Sequence, residues 1–383
     1  MSPSIRFPEF TGEWEKCKIE DITDAVSSGK SKNHFSNGEY NLYGSTGIIG
    51  RTDKALYDGK LVLVARVGAN AGFLQIINEP CGITDNTLIL KPKGIDAFYL
   101  YYFLQHFNLN RLIFGSGQPL ITGGMLKKVK VSLGTISEQS KIVKFLSLLD
   151  ERIATQVRLI EDLKKLRCAI IENVFCSPNH NESALRFKGN TDPLSTYRME
   201  DFCSRITRKN KDNQCSLVLT IAAQYGLVDQ ESFFNKTVAS ENLAGYYLLH
   251  KGEFAYNRSY SAGYDWGAVK RLEKYPEGVL STLYICFKID ESAVDSDYLA
   301  YYFESTKWHK GLSDIAGEGA RNHGLLNVSV NDYFNTRHRF HCMREQKIIA
   351  SMLNVISQKE NDEIALYDNY QKQKQYLLRK MFI

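Results

Sequence analysis

The sequence predicts an α/β (α+β) protein made of two similar globular segments, each running into one long helix, with the two helices paired antiparallel. Three observations predict it. Residues 138–175 contain neither Pro nor Gly. They carry apolar residues at Ile142, Phe145, Leu146, Leu149, Ile153, Ile160, Leu163, Leu166, Ile170 and Val174, a spacing close to a heptad repeat. The pattern returns over 345–382 at a constant shift of 207, which places Glu138-Gln139 on Glu345-Gln346, Leu146 on Leu353, Leu159 on Leu366 and Phe175 on Phe382 without a gap. Ahead of each helix lies a longer stretch of short strand-like runs broken by glycine. Repetition on this scale outranks local pattern in reading a fold.

Each helix would span roughly 57 Å at about 1.5 Å per residue, more than a globular domain needs. The heptad series 142, 149, 156, 163, 170 is apolar except at Gln156, and its counterpart Ile349, Ile356, Glu363, Tyr370, Leu377 is fully polar only at Glu363. In an antiparallel pair the midpoints meet, so Gln156 and Glu363 are expected to face each other and fix the register, as single polar seam residues do in coiled coils. Val143, Leu148, Val157 and Ile171 widen the apolar stripe beyond one seam, which suggests further partner helices.

The 383 residues suffice for two or three domains, and a hydrophobic fraction of 43% is that of an ordered soluble protein. A net charge of +5 mildly favours an acidic partner. The eight cysteines form no CxxC pair and read as reduced thiols of a cytoplasmic protein. No apolar signal core stands at the N-terminus and no run approaches a membrane span.

Taken in order, residues 1–136 form the first globular segment. Trp14 to Asp24 opens it; Tyr40–Tyr43, Ile48–Gly50, Lys60–Ala65, Asn86–Leu90 and Val129–Leu133 read as strands, and the aromatic run Asp96–Phe107 as a helix. The first long helix follows over 137–176. Ser, Pro, Asn, Asp and Gly mark 177–196 as a linker. The second globular segment covers 197–343 and the C-terminal helix 344–383. Loose echoes join the two segments: Glu20-Asp21-Ile22 with Glu200-Asp201-Phe202, Tyr101-Tyr102-Phe103 with Tyr301-Tyr302-Phe303, Gly115-x-Gly117 with Gly317-x-Gly319, and Leu126-x-x-Val129-x-Val131 with Leu325-x-x-Val328-x-Val330.

Polar and basic loops recur at matching places. Lys30 and Lys32 follow the first Glu-Asp element; Arg205, Arg208, Lys209 and Lys211 follow the second. Arg66 and Asn70 follow the KLVLVA run, where the second half has Asn257, Arg258 and Tyr260. Gln118 follows the first glycine loop, and Arg321 and Asn322 the second. Such side chains supply phosphate and base-edge contacts, so these positions are the candidate DNA-binding residues.

Catalytic motifs are missing. Gly29-Lys30-Ser31 mimics the end of a phosphate loop, but Asp24 stands where its first glycine belongs. There is no Pro-Pro dipeptide for an amino-methyltransferase motif and no Pro-Asp for a nuclease core. Asp162-Leu163-Lys164 lies in the long helix and reads as surface charge. His338-x-x-His341 lacks further ligands at metal spacing, and no GxSxG elbow occurs.

Two diverged halves, each closed by a helix opening on Glu-Gln, resemble the DNA specificity subunit of Type I restriction-modification enzymes. The resemblance rests on Trp14-x4-Ile19-x-Asp21, Tyr43-Gly44-x3-Gly47-Ile48-Ile49-Gly50, Ala65-Arg66-Val67-Gly68-Ala69-x-Ala71-Gly72, Gly115-Ser116-Gly117-Gln118-Pro119-x-Ile121 and Glu138-Gln139. The second half departs from the pattern, with Ala320-Arg321 where the first has Gln118-Pro119. The resemblance implies two target-recognition domains related by a pseudo-twofold axis, each reading half of a gapped, bipartite site in double-stranded DNA, with the helices as spacer. It implies no activity and no cofactor for the chain itself. Two methyltransferase subunits binding S-adenosylmethionine and restriction subunits using ATP and Mg would assemble on it. The alternative is a coiled-coil scaffold whose duplicated domains bind protein.

Overall fold

The computed structural model describes residues 3–32, 38–113, 118–189, 192–235, 242–259, 263–315 and 326–383. The chain divides into two units, Met1–Arg158 with Ile364–Ile383, and Leu159–Glu363. The division falls inside both long helices, so each unit contains part of each.

In the first unit the order is β1 (Glu15–Lys18), β2 (Thr23–Ser28), β3 (Tyr40–Gly44), β4 (Gly47–Thr52), β5 (Lys60–Ala65), β6 (Leu74–Asn78), β7 (Cys81–Ile83), β8 (Thr87–Pro92), α1 (Ala97–Phe107), α2 (Gly123–Lys127), β9 (Lys130–Leu133) and the start of α3 (Ile136–Val174). An antiparallel sheet runs β2-β8-β5-β6, a second sheet runs β4-β3-β7, and β1 pairs with β9. The unbroken apolar run of β5 follows from its place. Successive side chains of a strand point to opposite faces. Val62 and Val64 pack with Tyr99, Leu100 and Phe103 of α1, whereas Leu61 and Leu63 pack with Ile77, Cys81 and Ile83. Helix α1 begins where the Asp96 carboxylate accepts the Phe98 and Tyr99 amides, and ends at Asn108 with φ 57°.

The second unit contains β10 (Ser195–Arg198), β11 (Cys203–Arg205), β12 (Leu219–Ala222), β13 (Gly226–Asp229), α4 (Gln230–Phe234), β14 (Tyr247–His250), β15 (Phe254–Asn257), β16 (Ala268–Arg271), β17 (Glu277–Leu280), β18 (Ile285–Ile289), α5 (Ser296–Tyr302), α6 (His309–Ile315), α7 (Val330–Phe334), β19 (Arg337–Phe340) and the start of α8 (Met343–Met381). Its main sheet runs β11-β18-β15-β16 and β10 pairs with β19. The main sheet and the short outer pair thus repeat the order seen in the first unit, β2-β8-β5-β6 with β1-β9. Small contacts agree: Lys18 N–H donates to Asp21 at 2.8 Å and Arg198 N–H to Asp201 at 2.6 Å, while the Ile19 amide reaches Val129 O at 3.0 Å and the Met199 amide Thr336 O at 2.9 Å. Divergence is largest between the first and third sheet strands, where β12, β13, α4 and β14 stand in place of β3 and β4. In addition, β14 pairs with β17 antiparallel where β3 pairs with β7 parallel, and α6 lies between α5 and α7 where the first unit has a 3-10 turn, Leu109–Leu112.

Two of the alignments expected from sequence are corrected by this geometry. The Tyr-Tyr-Phe runs match one residue out of step. Tyr102 O–H bonds Asp150 at 2.8 Å and Ser147 at 3.3 Å, and Tyr301 O–H bonds Asn354 at 2.9 Å and Ser357 at 3.0 Å, so Tyr301, at a shift of 199, is the counterpart of Tyr102. Ser329 caps α7 as Thr122 caps α2, already at the shift of 207. Val328 and Val330 therefore precede the last strand, and Thr336 and His338 take the places of Val129 and Val131. The short Leu-x-x-Val-x-Val pattern had no register of its own to forbid the slip.

Both helices are 39 residues long. Within the first unit, Asp150 pairs with Lys374 at 2.6 Å and Arg152 lies over the Tyr370 ring, an antiparallel course. Within the second, Arg167 reaches Glu360 at 3.2 Å. Seam positions 142, 149, 156, 349 and 363 are buried. Gln156 and Glu363 are 7% and 6% exposed, and Glu363 also pairs with Lys359 on its own helix.

The end of each helix completes a domain core. Phe382 packs against Tyr99, Phe103 and His106, and its counterpart Phe175 packs against Tyr298 and Tyr302. A clamp that sequence reading missed recurs beside it. In the first unit the Ile5 amide bonds Lys380 O at 2.9 Å, and Arg6 grips the fully buried Glu138 at 2.7 and 2.8 Å. In the second the Leu185 amide bonds Asn173 O at 2.9 Å, and Arg186 grips the fully buried Glu345 at 2.5 and 3.3 Å. The stretch expected as a linker thus contributes Arg186 and Phe187 to the second unit. The signal was present as Ile5-Arg6-Phe7 and Leu185-Arg186-Phe187, too short to stand out in polar surroundings. The Glu-Gln pair opening each helix is explained as well: the glutamate meets the clamp, and Gln139 and Gln346 bond the carbonyls of Gly134 and His341 at 3.0 and 2.9 Å.

Candidate nucleic-acid interface

In the first unit the expected residues gather at one end of the main sheet. Arg66 follows the last residue of β5, and the chain then turns through Gly68 (φ 79°) and Gly72 (φ 89°), conformations glycine adopts without strain. The turn is pinned on two sides. The Arg66 amide bonds Asn86 O at 2.9 Å, while the Ile121 amide bonds Arg66 O at 2.9 Å and the Gly68 amide bonds Pro119 O at 3.0 Å. These bonds bring Arg66, Asn70 and Gln118 onto neighbouring segments, with Asn70 and Gln118 exposed. Arg66 is half-buried; one Nη donates to Ser28 Oγ at 3.3 Å, and its buried Nε has no partner among the described residues. Lys30 and Lys32, both exposed, continue from Ser28, with Ser31 between them bonded to Ile83. The β3–β4 turn closes the group, since Ser45 Oγ donates to Asn86 O at 3.3 Å. Below it, burial and a bond to Glu79 push the Tyr43 hydroxyl up to about 12, which keeps it a neutral donor.

In the second unit Arg258 is the counterpart of Arg66, one residue past the end of the third sheet strand in the same register. Its surroundings differ. Its Nη atoms donate to Val328 O and Leu283 O, each at 3.1 Å. Asn257 accepts the Ser259 amide at 3.0 Å. Lys209 and Lys211 correspond to Lys30 and Lys32. Lys209 lies 3.9 Å over the Tyr247 ring and donates to Gly245 O; Arg205 reaches the Tyr247 hydroxyl at 3.3 Å. Arg208 is paired with Glu253 at 2.6 Å. Lys211 is exposed. Tyr260, Arg321 and Asn322, and both glycine loops, lie outside the described residues.

No group of three or more His, Cys, Asp or Glu residues among the described ones could hold a metal ion. His338 spends both ring nitrogens on Tyr302 and Thr336, at 3.0 and 2.8 Å, and His341 bonds Tyr298 at 2.8 Å. They are hydrogen-bonded core histidines. Asp162 is exposed and pairs with Lys165.

Fold and site together define a class: a duplicated α+β chain that presents polar loops from one end of the same sheet in each unit. Residues 11–165 match the family model described as the Type I restriction modification DNA specificity domain. The chain is 25% identical over 135 residues to the Type I restriction enzyme EcoprrI specificity subunit of Escherichia coli, covering 35% of this chain and 33% of that one. It is 28% identical over 184 residues to a putative Type I specificity subunit of Mycoplasma genitalium, covering 46% and 48%. The matched segments thus span about a third to a half of these relatives' length. The crystal structure of the Type I restriction-modification S subunit from M. genitalium shares the fold over 100% of this chain and 99% of that one, with TM-score 0.62 and 16% identity. A structure described as underlying complex assembly and conformational transition of the Type I system matches over 97% and 98%, with TM-score 0.54 and 12% identity. Residues 11–165 thus carry the match to this domain family, and the solved structures extend the shared fold over the rest of the chain.

Proposed function

We propose that the chain is the sequence-reading, non-catalytic subunit of a Type I restriction-modification complex and binds double-stranded DNA, each unit reading one half of a bipartite, gapped site. The observation that carries the reading is the recurrence, in two diverged units, of Lys and Arg on loops at the same end of the same sheet: Lys30, Lys32 and Arg66 in the first, Lys209, Lys211 and Arg258 in the second. Phosphate contacts from Lys30, Lys32, Lys209 and Lys211 would set register, and Arg66, Asn70 and Gln118 would reach base edges. In this reading the long helices set the spacer, and Gln156 and Glu363 fix their register. The helices would also dock two methyltransferase subunits. Apolar residues left exposed on them support that: Leu148 (54%) and Leu159 (41%) recur as Val355 (67%) and Leu366 (38%), two equivalent surfaces for two equal partners. S-adenosylmethionine, ATP and Mg belong to the methyltransferase and restriction subunits. No described helix is long and apolar enough to cross a membrane, and action on DNA places the proposed complex in the cytoplasm.

The test is selection of bound sequences from a random duplex library, with affinity measured against salt. A gapped motif is expected, with log affinity falling by about 0.9 per phosphate contact for each decade of salt. Enrichment of no sequence would refute the reading and leave the protein-binding scaffold. Inserting one heptad after Gln156 is expected to lengthen the gap or abolish binding; an unchanged gap would remove the spacer role.

A further inference from the structure

The β3–β4 hairpin of the first unit exposes two consecutive isoleucines, Ile48 (57%) and Ile49 (42%). In a regular strand, neighbours point to opposite faces and one of the pair would be covered. Here the register shifts between Leu42↔Gly50 and Tyr43↔Ile48, leaving Ile49 as an extra residue, a β-bulge. A bulge redirects a side chain, and bulges concentrate beside functional sites. The Ile49 side chain lies against Gly44, where a Cβ would come within 2.8 Å of Ile49 Cγ2. The hairpin is held in place: Gln75 donates to Gly44 O and Ser45 O at 2.9 and 3.1 Å, Ser45 bonds Asn86, and the Thr84 amide bonds Tyr43 O at 3.0 Å. Two residues before Gln75, immediately ahead of β6, stands Phe73, 48% exposed, whose amide bonds Asn70 O at 2.9 Å.

We propose that Ile48, Ile49 and Phe73 form an apolar contact with a groove of duplex DNA, continuous with the polar contacts of Arg66, Asn70 and Gln118; this rests on the DNA-binding reading above. The occupant follows from the surroundings. The apolar side chains are joined through Asn86 and Asn70 to the Arg66 loop, and Lys30 and Lys32 flank that loop with positive charge, which suits a polyanion. A two-stranded ribbon fits the major groove, where the thymine methyl is an apolar target; isoleucine also packs against base steps in the minor groove. Both partners present the same chemistry, apolar surface deep in a groove. A rigid, bulged, β-branched tip meets it at little entropic cost.

The test uses the full chain and the gapped site it selects. Ile48→Thr/Ile49→Thr keeps β-branching, and thermal unfolding checks that the fold survives. Each substitution replaces an ethyl group by a hydroxyl, and the double variant is expected to bind about tenfold or more weakly, about fourfold for each carbon lost from contact. Its loss should be equal at every salt concentration, because no phosphate contact is removed. Lys30→Ala, by contrast, removes a proposed phosphate contact and should flatten the salt slope by about one. In a second arm each thymine of the first half-site is replaced by deoxyuridine. A loss in the wild type that is absent in the double variant assigns the contact to a thymine methyl; a variant defect with no deoxyuridine effect assigns it to a base step. Wild-type affinity of a folded double variant would overturn the proposal while leaving sequence-specific binding intact. Absence of sequence-specific binding in the wild type would instead overturn the reading beneath it.

Discussion

Removing the ring of Phe175 should destabilise the second unit and leave the first unchanged, whereas Phe382→Ala should do the reverse. Phe175 is 1% exposed, with ring centroids 5.0 Å from Tyr298 and 5.5 Å from Tyr302; Phe382 is 3% exposed and meets Tyr99 at 5.3 Å. Phe→Ala at such sites costs about 3–5 kcal/mol, from lost transfer energy and a cavity the surrounding rings cannot fill. For a unit of 150–250 residues each kcal/mol lowers Tm by about 2–4 °C, so a shift on the order of 10 °C is expected in one unit. Hydrogen exchange locates it. With Phe175→Ala, amides of β11, β15 and β18 should lose protection while those of β2, β5 and β8 keep theirs. The pattern should invert with Phe382→Ala. Equal loss in both units from either variant, or a cost below about 1 kcal/mol, would refute the view that each helix end completes one particular core.

Three further outcomes follow from the same contacts. Arg186→Met should cost about 3 kcal/mol, because Glu345 is left buried and unpaired, and adding Glu345→Gln should recover part of it; denaturant titration of both variants checks this. Lowering pH should weaken the second unit. Burial holds His341 down at about 4 and His338 at about 3, below the ordinary value of 6.5. The stability carried by the neutral rings is complete above about pH 6.5 and is lost as pH falls toward 4, by about 2–3 kcal/mol per histidine at pH 4.5. His338→Val, the residue at the matching place in the first unit, should flatten that dependence in urea titrations at pH 7 and 4.5. Tyr301→Phe and Tyr102→Phe should each cost about 1 kcal/mol, read from denaturation midpoints, as each removes a hydroxyl that ties a domain helix to a long helix.

The sequence alone determined the duplication, both long helices, strand β5 to the residue, and the positions of the polar loops. These are periodic or strongly local signals, and a heptad run or an apolar run bounded by turns carries its meaning within a few residues. Tertiary structure decided what such signals cannot encode. It showed that the two main sheets share one strand order despite different insertions, and that the Tyr-Tyr-Phe runs match one residue out of step. It showed that Arg6 and Arg186 clamp glutamates more than a hundred residues away. Arg66 and Arg258 look alike on paper, each following a strand. Only the fold commits Arg258 to two backbone carbonyls while Arg66 holds a serine at the edge of the proposed reading surface. An arginine's role depends on which distant oxygens the fold brings within about 3 Å of it, and that distance is a property of the folded chain.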